Sequence, residues 1–358
     1  MQNKLQFLQK FWKNKKVFLT GHTGFKGSWF CIFLNLLGAK VTGYSLRPQQ
    51  KLNLFDLANV NHLIYDSVIG DIRDYAKLKK AIFEFSPDFV VHMAAQSLVR
   101  NSYADPKYTY DVNTLGTVNI LNILNDLNFI KSALIITTDK VYFNDNKKNY
   151  YKENDRLGGF DPYSNSKSCA ELAVNSYNHS FFFKKKIFVA TARAGNVIGG
   201  GDFSKDRILP DYFRSLSQKK RLILRSPNSI RPWQHVIDPL YGYLLLLMKL
   251  CKKEAITSNG FNFGPRKLSN QSVSNVINLI NKDFNNSVKV LKKADGLKNY
   301  HESKILMLNS NKSKKILNWQ SKYNLEKSIK LTSFWFKEFF AKRNILRVTQ
   351  NQIINYFH

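Results

Sequence analysis

Val17-Phe18-Leu19-Thr20-Gly21-His22-Thr23-Gly24-Phe25-Lys26-Gly27 decides the reading of the fold. A short apolar strand runs into three glycines spaced G-x-x-G-x-x-G, and an apolar helical pattern follows over Trp29–Leu37. Glycines at such a turn let the backbone approach a pyrophosphate closely. The helix that follows aims its free N–H groups at the phosphate charge. Gly21, Thr23, Gly24, Phe25 and Gly27 are therefore the candidate contacts to a dinucleotide.

Beyond this motif the chain alternates strand and helix. Apolar strand segments fall at Val17–Thr20, Lys40–Tyr44, Phe89–Met93, Ala133–Thr138 and Ile187–Arg193, with a weaker one at Val68-Ile69. Helical patterns occupy Trp29–Leu37, Asp74–Phe85, Asn113–Leu127 and Ser164–Tyr177. This alternation predicts an α/β fold of the Rossmann type, a doubly wound parallel sheet with ligands beyond the strand C-termini. After about Ala194 the pattern loosens, with Gly199-Gly200-Gly201 and the turn-rich Ser226–Pro232 breaking it. Helical patterns at Ser272–Asn281 and Leu325–Phe340 follow, and Asn344–His358 is ambiguous. Residues 1–194 are expected to form the dinucleotide-binding domain. Residues 195–358 are expected to form mainly a smaller, mixed substrate lobe interleaved with it.

Composition bounds the partners. With 358 residues, 44% of them hydrophobic, the chain has ample material for a core. The net charge of +30 raises the possibility of nucleic acid. The basic residues, however, are mostly Lys spread along the whole chain, and no nucleic-acid-binding module is recognisable; an anionic small substrate suits a basic cleft better. Cys31, Cys169 and Cys251 are scattered without metal-ligand spacing, which points to a reduced, cytoplasmic setting and to no metal. Leu5, Leu8, Phe11 and Trp12 suit a short amphipathic helix, read as a lid packed on the first strand rather than a membrane anchor. The apolar run Leu240–Leu250 is too short to span a bilayer and reads as a core helix.

Tyr163-Ser-Asn-Ser-Lys167 places a phenol and an ammonium four residues apart on one helix face. A neighbouring Lys cation favours the phenolate and is expected to lower the phenol from about 10 toward neutrality. Such a phenolate accepts a proton from a sugar hydroxyl as hydride leaves its carbon. An isolated Y-x-x-x-K is usually a surface pair. Here it follows a glycine-rich turn and a strand ending Thr137-Thr138-Asp139.

These residues, with Ala94-Ala95 after the fourth strand and Asn113, resemble the extended short-chain dehydrogenase/reductases, and within them the CDP-glucose 4,6-dehydratases. The likeness covers roughly residues 10 to 340. Phe11-Trp12, Gly21 to Trp29, Met93-Ala-Ala-Gln96, Thr138-Asp-Lys-Val-Tyr142, and Leu157-Gly-Gly-Phe-Asp-Pro-Tyr-Ser164 carry it. Arg193-Ala-Gly-Asn-Val-Ile-Gly-Gly-Gly-Asp202 and Arg231-Pro-Trp-Gln-His-Val236 are its most specific segments. The resemblance implies bound NAD and a nucleotide-sugar substrate, CDP-glucose. It also implies a redox-neutral reaction, in which hydride leaves C4 and returns to C6 as water is lost. Tyr163 would take the O4 proton and Thr138 would bond O4 or the phenol. Asp139 would protonate the leaving C6 hydroxyl, which requires it to be protonated when substrate is bound. Related dTDP-glucose enzymes carry a Glu base for C5 at the next position, where this chain has Lys140, as the CDP-glucose enzymes do. A lysine base must be neutral, and the role of Lys140 stays open.

Asp71-Ile72 resembles the pair that contacts adenine, and it also reads as an N-cap before the next helix. Strand two ends without the acidic residue expected for a ribose 2′-hydroxyl. Arg47 stands there instead, which keeps NADP open while the resemblance favours NAD. Asn196, Arg207 and Arg231 match positions holding the sugar-nucleotide diphosphate, and Gln96, Arg100 and His235 are lesser candidates nearby. One departure is Ser97, where the CDP-glucose enzymes often carry Pro. Asn113–Leu127 and Ser164–Tyr177 resemble a helix pair at a homodimer interface, although Leu115, Val118, Leu121 and Ile123 also suit an intramolecular core. Alternative functions are dehydration of another nucleotide sugar, 4-epimerisation, and a non-catalytic NAD-binding role. Epimerisation at C4 alone needs neither a C5 base nor a C6 acid.

Overall fold

The computed structural model describes residues 4–145, 150–252, 260–292 and 305–358. Its strands β1 (Lys16–Thr20), β2 (Lys40–Ser45), β3 (Asp66–Ile69), β4 (Phe89–His92), β5 (Ser132–Ile136) and β6 (Phe188–Ala194) lie in one parallel sheet. Along each central strand the side chains alternate between the two faces. Val17 and Leu19 join one core and Phe18 the other; Phe89 and Val91 part from Val90 in the same way, as do Leu134 and Ile136 from Ala133 and Ile135. A sheet buried on both faces needs helices on both. The Val17 face is covered by α2 (Phe25–Leu36) and by α7 (Ile237–Cys251). The opposite face is covered by α3 (Tyr75–Phe85), α4 (Gly116–Asp126) and α5 (Pro162–Tyr177). The half-exposed edge strand β3 explains why its signal in the sequence is short and weak.

The rest of the chain supplies β7 (Asn196–Ile198), β8 (Ile230–His235), β9 (Gly260–Phe263) and β10 (Asn270–Ser272). β9 adds to β6, giving the seven-stranded order β9-β6-β5-β4-β1-β2-β3. The dinucleotide sheet is therefore completed by residues beyond 194. β7, β8 and β10 form a mixed three-stranded sheet, flanked by α6 (Ile208–Ser217), α8 (Val273–Asp283) and α9 (Leu325–Phe340). Phe213 of α6 stacks on Phe336 of α9 with ring centroids 3.5 Å apart. Trp29 of α2 donates from Nε1 to the Gly200 carbonyl at 2.9 Å and ties the two parts together.

Some local expectations are sharpened. Helix α1 (Lys4–Trp12) buries Leu8 and Trp12 in the core that also holds Val17 and Leu19 of β1, and the Trp12 ring lies 4.9 Å from Phe89 of β4. The pattern over Asn113–Leu127 is not one regular helix: Asp111–Leu115 is a π-turn and α4 starts at Gly116. Leu121 and Ile123 are fully buried within the chain, whereas Leu115 is 55% exposed. The ambiguous tail forms α10 (Ile345–Asn355), which packs on α2, with Phe357 5.9 Å from Phe33. Among the described residues no helix is long and apolar enough to cross a membrane. Nor does any group of three or more His, Cys, Asp or Glu among them suit a metal ion.

Candidate active site

In the sheet order, β1 and β4 are adjacent while the chain winds outward from them in both directions, so a crevice opens beyond their C-termini. A cleft of about 1750 Å³ lies there, floored by the glycine turn and walled by segments from both lobes. Single-ligand pockets span roughly 300–1000 Å³, so the volume suits two ligands side by side.

The glycine turn is built by close approach. Gly21 has φ +78°, and a Cβ there would lie 2.7 Å from the Ala94 nitrogen. A Cβ on Gly27 would stand 2.1 Å from the Gly21 carbonyl oxygen. Gly24 begins α2 with no side-chain cap, leaving the first-turn N–H groups for a ligand. The backbone of this turn therefore fits a pyrophosphate. Thr23 is spent otherwise: its Oγ1 donates to the Leu46 carbonyl and meets Ser45 Oγ, both at 2.8 Å, which pins the end of β2. His22, held neutral by burial with a pKa of about 4, meets Ser67 Oγ at 2.7 Å behind the loop. Arg47 is exposed at the cleft rim. Asp71 lines the cleft beside Ile72, and Arg73, 2.7 Å from it, holds its carboxyl below the usual range.

Ala94 and Ala95 also line the cleft. Behind them Asn113 is fully buried and outside its lining. Its Oδ1 accepts from the Gln96 N–H at 2.9 Å, and its Nδ2 donates to Ser166 Oγ at 3.0 Å. Asn113 thus shapes the loop instead of facing a ligand. The Gln96 side chain is likewise engaged, donating to Thr109 and accepting from the Leu98 N–H at 2.7 Å.

The reactive groups converge on one wall. Asp161 caps α5 by accepting from the Ser164 N–H at 2.9 Å, which sets Tyr163 in the first turn and Lys167 one turn on. The Thr138 hydroxyl favours the ionised form of the Tyr163 phenol. Thr138 donates to Asp139 Oδ1 at 3.0 Å, and the other Asp139 oxygen is buried with no hydrogen-bond partner among the described residues. Burial raises the Asp139 pKa, against the pull of Lys140, Thr138, Arg231 and Lys26. Lys167 is buried, donates to the Ile136 carbonyl at 3.1 Å, and is lowered to about 8 by burial and by the charge of Lys26. The expected fall of the phenol toward neutrality is absent: burial pushes Tyr163 up to about 12, against Thr138 and Arg207, which both favour the phenolate. The Lys167 ammonium is spent on a backbone carbonyl.

Cations gather on the opposite wall. Arg207 pairs with Asp202 at 3.2 Å and donates to Ser97 Oγ at 3.1 Å, so the departure at Ser97 supplies an anchor for that guanidinium. Arg100 lies 3.4 Å from Asp206, which also holds Arg225 at 2.9 Å. Arg231 and Asn196 line the cleft from β8 and β7. His235 does not reach it. Its ring is fully buried between Trp29 and Tyr323, and burial lowers its pKa to about 3, so it is a neutral core residue. Lys26 was missed by sequence reasoning. It lines the cleft inside the glycine motif, its pKa is lowered to about 8 by burial and by Arg207, and Asp139 opposes that shift. Only its depth in the fold marks it, because a lysine in the first turn of a helix is ordinary in sequence.

Residues 18–332 match the family model described as GDP-mannose 4,6 dehydratase. The chain belongs to this family. Across it, a CDP-glucose 4,6-dehydratase of Salmonella typhimurium is 41% identical over 97% of this chain and 98% of that protein. A UDP-glucose 4-epimerase of Mycoplasma pneumoniae is 24% identical over 76% of this chain and 82% of its own length. The fold is shared with the crystal structure of dTDP-glucose 4,6-dehydratase from Bacillus anthracis in complex with NAD. The TM-score is 0.76 at 22% identity, covering 93% of this chain and 99% of that one. The extended short-chain dehydrogenase/reductase reading is thereby borne out, together with the enzyme class, nucleotide-sugar 4,6-dehydratases.

Proposed function

We propose that this chain is an NAD-dependent CDP-glucose 4,6-dehydratase that yields CDP-4-keto-6-deoxy-glucose. One observation carries the reading: Tyr163, Thr138 and a buried Asp139 of raised pKa line one cleft, with the Thr138 hydroxyl donating to Asp139. An oxidising base and an eliminating acid thus stand side by side. The identity with the Salmonella enzyme along nearly both chains supports the choice of CDP-glucose. The glycine turn Gly21–Gly27 would hold NAD, which when bound would supply the acceptor for the C4 hydride and its donor to C6. Tyr163 receives the O4 proton as phenolate, a form that Thr138 and Arg207 favour. Asp139, whose protonated form burial favours, gives its proton to the C6 hydroxyl as water leaves. Lys140 is the candidate to take the C5 proton. Asn196, Arg207 and Arg231 hold the substrate diphosphate, the arginines through their forked donors. Asp71 and Ile72, which line the cleft, would take the adenine, and the reading favours NAD over NADP.

Residues 1–194 carry the cofactor and residues 195–358 mainly the substrate, interleaved through β9. The enzyme acts as a homodimer whose contact face includes Leu115 and Leu172, large apolar residues 55% and 57% exposed on neighbouring elements. Its free cysteines fit a reducing compartment, and we place it in the cytoplasm. The test is incubation with CDP-, dTDP-, UDP- and GDP-hexoses, read by mass spectrometry for loss of one water. Dehydration of CDP-glucose without added reductant is expected. Dehydration of another sugar would discard the nucleobase assignment, and intact sugars alone would discard the dehydratase reading.

A further inference from the structure

Arg193, the penultimate residue of β6, is 4% exposed and lies outside the cleft lining. Its planar guanidinium is used on every edge. Nε donates to Glu171 Oε1 at 2.9 Å and Nη2 to Glu171 Oε2 at 2.8 Å, a forked pair. Nη1 donates to the Tyr142 hydroxyl at 2.8 Å and to the Glu153 carbonyl at 3.1 Å. Gly260 of β9 leaves the space this group needs, since a Cβ there would lie 2.6 Å from Nη2.

The two partners belong to the two reactive segments. Glu171 stands on α5 one turn after Lys167, and it also accepts from the hydroxyls of Thr137 and Thr191. Burial works against its charge, but Arg193 and the two threonines hold it ionised. Tyr142 closes the turn that begins at Thr138. Its hydroxyl donates to Asn262 Oδ1 at 2.7 Å, and its ring stacks 5.0 Å from Tyr151. One rigid fork thus links the helix bearing Tyr163 to the turn bearing Asp139 and Lys140.

We infer that Arg193 is a positioning residue that sets the Thr138–Lys140 turn against the Tyr163–Lys167 helix, so that oxidation at C4 and elimination across C5 and C6 are served in one geometry. The inference rests on the dehydratase reading above. It separates the two half-reactions: α5 keeps its own Asp161 cap when Arg193 is altered, whereas the turn loses the anchor at its far end. A purely structural ion pair would instead slow both halves together or only lower stability.

The experiment compares wild type, Arg193→Lys and Tyr142→Phe in single turnovers with CDP-glucose. Three signals are followed: reduced-nicotinamide absorbance, solvent deuterium entering C5, and loss of water by mass spectrometry. Thermal melting is measured alongside. Arg193→Lys is expected to melt below wild type, because lysine cannot restore the buried fork to Glu171, and Tyr142→Phe nearer to it; both should build up reduced nicotinamide and lose water about 100-fold more slowly, the effect of a misplacement near 1 Å. Tyr142→Phe keeps the packing and carries the test if Arg193→Lys does not fold. Folded variants with no build-up, whether fully active or slowed equally in both halves, would overturn the inference while wild-type dehydration leaves the function intact. Failure of wild type to dehydrate any nucleotide hexose would overturn the function and the inference together.

Discussion

Asp139 shows how one side chain ties chemistry to stability. Its folded pKa is raised above the ordinary 3.8, so the folded chain holds this proton more tightly than the unfolded chain. Stability from this group is fully present below the unfolded value and is lost as pH rises through the folded one. Asp139→Asn is therefore expected to raise the melting temperature at alkaline pH and to change it least in acid, as read by calorimetry. The same substitution removes the acid and should lower kcat by about 10²–10⁴-fold, with KM little changed, in a steady-state assay. That Thr138, Asp139, Lys140, Tyr163 and Lys167 would meet in one cleft was legible because each group lies close together in the chain. Lys26 was missed and His235 misplaced for the converse reason. A residue's depth depends on distant segments, and here Arg207 approaches Lys26 while Trp29 and Tyr323 enclose His235.

Among the elements, the glycine turn and α2 are the most exactly specified by spacing. Gly27→Ala pushes a methyl into the Gly21 carbonyl, an overpacking that costs about 1–3 kcal/mol. The variant should melt lower and bind NAD about tenfold more weakly, the equivalent of ~1.4 kcal/mol, by titration calorimetry. Strand positions were readable because β1, β4 and β5 are buried on both faces and so run apolar. The π-turn at Asp111–Leu115 was not, since its extra residue leaves the apolar spacing near that of a helix. Helix α10 was ambiguous because its apolar face is short and acquires meaning only against α2 and α9.

At the scale of the molecule, Leu115 and Leu172 leave apolar surface beside α4 and α5. Leu115→Glu combined with Leu172→Glu is expected to turn a dimer into a monomer by sedimentation without unfolding it, because neither side chain lies in the core. Wild type sedimenting as a monomer would refute the dimer outright. The net charge of +30 is distributed as solvated lysines, so it sets solubility and attraction of anions more than fold. The packing of α10 over α2 has a consequence for biosynthesis. The ribosome makes the cofactor-binding helix near the start and the segment that roofs it near the end of the described chain, so Phe33 meets Phe357 only when translation has passed both. Nascent chains stalled before residue 345 should therefore expose that helix to protease and chaperone, and gain protection only on extension through Phe357.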